Sequence, residues 1–306
     1  MLMERPLDTR PKGKGSKTRD PKGSAPASPS LEAGLYVVAT PIGNLRDITL
    51  RALDVLGGAH LVLAEDTRVT RKLLSAYGLG PRTMSYHEHN AETARPKIMA
   101  ALEAGQAVAL VSDAGTPLIS DPGFKLVRAA AAAGHRVFPI PGASALLAGL
   151  VTAGLPTDRF LFAGFPPVKA GARASFFADM AQVAATLVFY ETGPRLKASL
   201  EAMAIAFGDR QAAVGRELTK MFEEVRRGSL PALAAAIEAA PKGEIVVLVG
   251  PPDPTRIAPA DAAIDAALGK WLATHSVKEA ATLVAEELRI PRRDAYARAL
   301  VLRTLE

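Results

Sequence analysis

Three glycine- and proline-bearing stretches, together with a few carboxylates and cations, are the parts of this sequence that could do chemistry. The stretches are TPIGNLRD at 40–47, SDAGTPLISDPG at 112–123 and PGASA at 141–145, each placed directly after a short aliphatic run. In an open parallel sheet, ligands bind beyond the carboxyl ends of the strands. Loops leaving strands of one sheet therefore share an edge, and small residues there let the backbone approach a flat or extended ligand. The candidate binding positions are Pro41, Gly43 and Asn44 in the first loop, Ser112, Asp113, Ala114, Gly115 and Thr116 in the second, and Pro141, Gly142 and Ser144 in the third. Taken singly, each loop also reads as an ordinary turn, and Asp113 as a turn or cap residue. Glu65 and Asp66 end another aliphatic run. They either orient a substrate hydroxyl or open the next helix, where negative charge suits the dipole.

His87 and His89 in YHEHN are spaced to share one strand face. A metal site needs a third ligand and a supporting shell. The chain has no cysteine, which excludes disulfides, thiolate zinc sites and a cysteine nucleophile. The two histidines are read as surface or substrate-lining residues, and no metal is predicted. There is no GxGxxG after a strand, no phosphate-cradling GxxxxGK loop and no GxSxG elbow, which argues against hydride transfer, NTP hydrolysis and serine hydrolysis.

The elements that must position these residues follow from apolar patterning. Runs at 35–40, 60–65, 107–112 and 136–140 read as buried strands, with helices at 49–56, 68–77, 91–103, 125–133 and 143–153 between them. Such alternation predicts a mainly parallel sheet covered on both faces. After a break at Gly154, Leu155 and Pro156, strands are expected at 159–165, 186–191, 211–218, 220–228 and 243–250, with helices at 171–184, 195–207 and 229–239. The adjacent REL and KMFEEV runs suggest antiparallel pairing, so this second sheet is expected to be mixed. Three helices at 259–274, 276–289 and 292–305 follow a proline-rich linker. The fold class is therefore α/β, with a mainly parallel first sheet, a mixed second sheet and a small C-terminal helical module. The expected division is a basic tail at 1–33, α/β domains at 34–154 and 155–254, and the helical module at 255–306.

With 306 residues, 49% of them hydrophobic, the chain can bury cores of this size. No apolar run is long enough to span a bilayer and no secretory segment is evident, so the expected location is cytoplasmic and no membrane partner is predicted. The net charge of +6 suits a polyanionic partner or simply a solvated surface. The tail at 1–33 is too polar to bury surface that would offset its ordering entropy; it reads as a solubilising or nucleic-acid-tethering arm.

The stretches ATPIGNLRDITLRAL, AEDTR, SDAGTPLISDPG, PGASA, YETGPR and GRELTKMFEEVRRG resemble, in order and over roughly 35–250, the signatures of the bacterial 16S rRNA cytidine 2′-O-methyltransferases. These belong to the tetrapyrrole-methylase-like class of S-adenosylmethionine (SAM) enzymes. KEAATLVAEELRIPRRDAYARAL is similar to that family's C-terminal helical module. The resemblance implies SAM in a cleft between the two domains, a cytidine ribose in the decoding centre of small-subunit rRNA as acceptor, and a homodimer. The long N-terminal tail departs from the family pattern. A SAM-dependent tetrapyrrole methylase and a non-catalytic ribosome-assembly binding protein are the alternatives.

With SAM so placed, its methyl group faces a space bounded by the first-domain strand ends and the RELTK segment. Arg216, Glu217 and Lys220 then join Glu65, Asp66 and Asp113 as candidates for activating a hydroxyl, as stabilising cation or proton acceptor. A plain cross-strand ion pair is the competing reading of Glu217 and Lys220. Phosphate contacts are expected from Lys220, Arg226, Arg227, Arg292, Arg293, Arg298 and Arg303.

Overall fold

The structure is a computed structural model that describes residues 31–120, 122–253, 261–288, 290 and 292–305. The first thirty residues of the expected tail, Asp121 and Pro291 lie outside the described residues. Leu31, assigned to the tail by sequence, packs instead against the first sheet's core, and Glu32 pairs with Arg136.

The first half alternates strand and helix as expected: β1 Gly34–Val38, α1 Leu50–Gly58, β2 Leu61–Ala64, α2 Thr67–Ala76, β3 Thr83–Ser85, α3 Ala91–Glu103, β4 Ala107–Val111, α4 Phe124–Ala132, β5 Val137–Ile140 and α5 Ala145–Thr152. All five strands are parallel, in the order β3-β2-β4-β1-β5. β3 is absent from the sequence reading because TMS is a short, half-buried edge strand with no aliphatic run to mark it. The inner strands are apolar throughout because helices cover both faces. Leu35, Leu63 and Leu110 pack towards α3 and α4, while Val38, Val62 and Ala109 pack towards α1. With β1 between β4 and β5, the three candidate loops leave adjacent strands.

The second half gives β6 Phe160–Gly164, α6 Ala170–Ala178, β7 Thr186–Thr192, α7 Gly193–Phe207, β8 Gln211–Arg216, β9 Glu224–Ser229, α8 Leu230–Ala235 and β10 Glu244–Val249. Their sheet runs β6-β7-β10-β8-β9 and is mixed: β6 and β7 are parallel, and the other neighbours antiparallel. α6, α7 and α8 bury one face of it. The opposite face is covered by α5, which belongs to the first half: Leu146 and Leu150 pack on Val188, Ala213, Val246 and Leu248. α9 Asp261–Leu272, α10 Val277–Leu288 and α11 Arg292–Leu305 enclose a core of their own around Leu268, Val284 and Ala299. Ser276 and Glu279 open α10 with a reciprocal capping box, Ser276 N–H donating to the Glu279 carboxylate at 3.0 Å. No helix among the described residues is long and apolar enough to cross a membrane.

Gly193 opens α7 against the backbone of Pro241, and a Cβ there would stand 1.6 Å from the Pro241 carbonyl oxygen. Gly193→Ala should lower unfolding free energy by about 3 kcal/mol or more, at the upper end of overpacking effects. Gly171→Ala, in open space near the start of α6, should be neutral or slightly stabilising. Denaturant unfolding of both variants checks the contrast.

Candidate active site

The three loops are tied to one another by hydrogen bonds between residues distant in sequence. Thr40 N–H donates to the Gly115 carbonyl at 2.9 Å, and Gly115 N–H returns one to Thr40 at 3.0 Å. The Thr40 hydroxyl donates to the Ser112 carbonyl at 3.2 Å, and the buried Ser112 hydroxyl reaches the Gly115 carbonyl at 3.3 Å. Thr116 then bonds the Ala143 carbonyl at 3.3 Å, linking the second loop to the third. Gly115 has φ +81°, a left-handed conformation in which a side chain would be strained.

Two cavities adjoin over this scaffold. The larger, about 390 Å³, lies between the Asp113–Thr116 loop, the start of α5 at Ser144, and the β7 and β10 residues Tyr190, Thr192, Ile245 and Val246. The smaller, about 320 Å³, is bounded by Pro41, Gly43, Ser112, Lys72 of α2 and Lys220. Ile42, Asp113, Ala114 and Glu244 line both, so they form the seam between them.

The structure divides the candidate residues into groups. Asp113 stands at the seam, its carboxylate accepting the Asp66 N–H at 3.0 Å. Asp66 itself caps α2 and grips Arg68 at 2.6 Å, which pulls its carboxyl down to about 2; this is the helix-opening alternative. Burial followed by the charge of Asp113 raises the pKa of Glu65, with His87 opposing. Asn44 caps the short 3-10 turn Leu45–Asp47 by accepting from Arg46 N–H. Pro141 and Gly142 stand off the cavity walls; a Cβ on Gly142 would meet Ala39 Cβ at 3.0 Å, so this glycine serves packing against the end of β1. Ser144 both caps α5 and lines the larger cavity.

Glu217 and Lys220 are not on strands, contrary to the sequence reading. Both lie in the loop at 217–223 between β8 and β9, because the chain leaves β8 after Arg216 and takes two successive turns. Lys220 Nζ is 2.6 Å from the Glu244 carboxylate and 2.9 Å from that of Glu217. Burial opposes the Lys220 charge, but the two carboxylates outweigh it and hold its pKa above the ordinary lysine value. The bond from Lys220, then the Glu244 N–H, keeps Glu217 below the usual glutamate range. Room for this knot comes from glycines: a Cβ on Gly43 would stand 2.4 Å from Lys220 Cγ, and one on Gly243 2.4 Å from Glu217 Oε1.

Arg216 forms its ion pair outside that knot, although its charge also helps lower Glu217. It pairs with Glu224 of β9 at 3.2 Å and lines a different cavity of about 490 Å³ together with Arg226. Arg227 is also committed elsewhere, donating to the Ala153 carbonyl at 3.2 Å and to the Thr152 carbonyl at the end of α5. Arg298 is held by Asp265 through two contacts at 2.6 Å, whereas Arg292, Arg293 and Arg303 are exposed. The rings of His87 and His89 lie 6.0 Å apart. Among the described residues, no group of three or more His, Asp or Glu could hold a metal ion.

Sequence reasoning missed the second-half wall of the larger cavity: Phe165, Tyr190, Thr192 and the Gly243–Val246 segment. Phe165 packs edge-on against Tyr190, with ring centroids 5.5 Å apart, and the Tyr190 hydroxyl accepts the Leu146 N–H at 3.2 Å. The YETGPR stretch was the available signal. Its buried Glu191 accepts bonds from Thr192 N–H and the Ser199 hydroxyl, fixing the start of α7.

Comparison with known proteins agrees with this architecture. The family profile described as tetrapyrrole (corrin/porphyrin) methylases matches residues 34–234, and one described as the RsmI C-terminal HTH domain matches 258–303. A protein of Mesorhizobium japonicum named ribosomal RNA small subunit methyltransferase I is 54% identical over 91% of this chain and 95% of its own length. Its namesake in Erythrobacter litoralis is 52% identical over 90% of this chain and 97% of its own. Among solved structures, uroporphyrin-III-C-methyltransferase from Thermus thermophilus superposes with a TM-score of 0.52 at 23% identity, covering 71% of this chain and 94% of that one, a likeness of fold. With the whole first sheet and every strand of the second except β10 inside the matched residues, the chain belongs to the tetrapyrrole (corrin/porphyrin) methylase family.

Proposed function

We propose that the chain transfers a methyl group from SAM to a cytidine ribose 2′-hydroxyl in the decoding centre of small-subunit rRNA, acting as a homodimer in the cytoplasm. The names of the relatives support rRNA as the substrate class. The observation that carries the reading is the pair of cavities meeting at Asp113, Ala114 and Glu244, with Lys220 lining the smaller one, which this reading gives to the acceptor and the larger to SAM. The larger, at about 390 Å³, falls within the usual range for a small cofactor. Phe165, Tyr190 and Ile245 would face an apolar ring system, the Asp113–Thr116 loop and Ser144 would supply polar contacts, and the seam carboxylates would suit a cationic sulfonium. SAM, when bound, supplies an electrophilic methyl group. In this reading residues 34–154 and 155–254 are the two domains that close on the donor.

The chain's own task is to hold the hydroxyl in line and help it lose its proton. Lys220, kept cationic by its carboxylates, is suited to stabilise a developing alkoxide and unsuited to act as a base. Glu217, already ion-paired and below the usual range, is a weak proton acceptor that fixes Lys220. Asp113 at the seam is the better-placed carboxylate for the proton.

Lys220→Met should slow single-turnover methylation of unmethylated small ribosomal subunits by about a hundredfold while calorimetric SAM affinity stays within a few-fold. An unchanged rate would remove Lys220 from the chemistry. Tritium from labelled SAM should appear in a 2′-O-methyl nucleotide; label in a tetrapyrrole, or none transferred, would overturn the reading.

Exposed Arg292, Arg293 and Arg303 on α11 suit phosphate contacts. Their joint replacement by Gln should weaken RNA binding, flatten its salt dependence by up to about three phosphate contacts and leave SAM affinity unchanged. Val151 on α5, 76% exposed, offers apolar surface to a second copy. Val151→Asp should shift sedimentation towards the monomer, and an unshifted dimer would place the interface elsewhere.

A further inference from the structure

The loop at 217–223 faces three ways. Leu218, 7% exposed, lines the larger cavity, and Lys220 lines the smaller one. Met221 and Phe222, between these walls and β9, are 90% and 68% exposed and join none of the buried clusters. The loop is nevertheless firmly held. Lys220 N–H donates to the Glu217 carbonyl at 3.0 Å, Glu223 N–H to the Lys220 carbonyl at 3.1 Å, and Thr219 N–H to the Glu223 carboxylate at 2.6 Å. Glu217 and Thr219 adopt φ +50° and +69°, a region non-glycine residues occupy only when their surroundings enforce it. An aromatic ring and a thioether are thus displayed on a braced turn beside the acceptor cavity.

The surroundings indicate what meets them. Lys72 lines the same cavity as Lys220, and Arg46 and Arg71, each next in sequence to a lining residue, are exposed. Cations beside an exposed aromatic suit a single-stranded nucleic acid, which offers phosphates to the former and flat base faces to the latter. We infer that Met221 and Phe222 form a stacking platform for a nucleobase flanking the methylated nucleotide, steadying the strand while that nucleotide is drawn out of its stack into the smaller cavity. This rests on the RNA-methylation reading above. The pair forms no bond to the reacting atoms, so its role is positioning.

The test uses the full chain, unmethylated small ribosomal subunits and labelled SAM. Met221→Ala/Phe222→Ala should lose roughly ten- to a hundredfold in kcat/KM for the particle while melting temperature, SAM affinity and sedimentation stay those of the parent. Phe222→Tyr should restore the rate and Phe222→Leu should not, since stacking needs the ring and not apolar bulk alone. Parental kcat/KM in the double alanine variant, or equal rescue by leucine and tyrosine, would overturn the platform while leaving RNA methylation intact. A shift from dimer to monomer in the double variant would overturn it in favour of a protein contact. A parent chain that labels no RNA would overturn both readings.

Discussion

The site depends on how one helix of the first half is clamped by the second. At its start, α5 donates the Leu146 N–H to the Tyr190 hydroxyl; at its end, Arg227 takes up the last carbonyls. Between them Gly149 brings the helix so close to the second sheet that a Cβ would meet Val246 at 3.0 Å. Apolar burial supplies the attraction, and the two polar contacts fix rotation and register, since a helix end left unpaired against a buried sheet would be penalised. α5 follows directly from the third loop, so this clamp sets the width of the larger cavity.

A second constraint acts at the seam. Lys220 is partly buried, at 26% side-chain exposure, and a desolvated ammonium is tolerable only when paired. Glu244 and Glu217 do this, and Gly43 and Gly243 leave the space in which they can. The left-handed Glu217 follows from the same requirement, since its carboxylate serves both the lysine and the Glu244 N–H. Charge, backbone strain and two glycines are therefore parts of one arrangement, which explains why a loop between two edge-side strands is so fixed.

Such fixing suits the proposed methyl transfer, whose electrophile needs little activation. Most of the available rate enhancement lies in alignment and in removing water from between the partners. Cavities that share a wall of small and charged residues meet that need better than one large pocket, because donor and acceptor can each be held from their own side. The C-terminal helices, with a separate core and outward arginines on α11, add surface without disturbing this geometry.

The sequence by itself determined all the strands of the first sheet but the short β3, and the edge on which their loops act. Continuous aliphatic runs such as AVALV announce strands buried on both faces, and the helical spacing in 277–288 marks one apolar side; these signals are local and strong because burial enforces them. The three loops were legible for the same reason, being short, rich in small residues and placed after such strands. The tertiary structure alone decided which residues of those loops line the cavities. Gly43 lines the smaller cavity while also making room for Lys220, Asn44 caps a turn and Gly142 packs a strand end, because a glycine or asparagine looks alike in sequence whatever lies opposite it. Arg216 and Lys220, four positions apart, went to different cavities once β8 ended between them. Phe165, Tyr190 and Val246 joined the site only through long-range pairing across the second sheet, and contacts of that kind leave no local pattern to read.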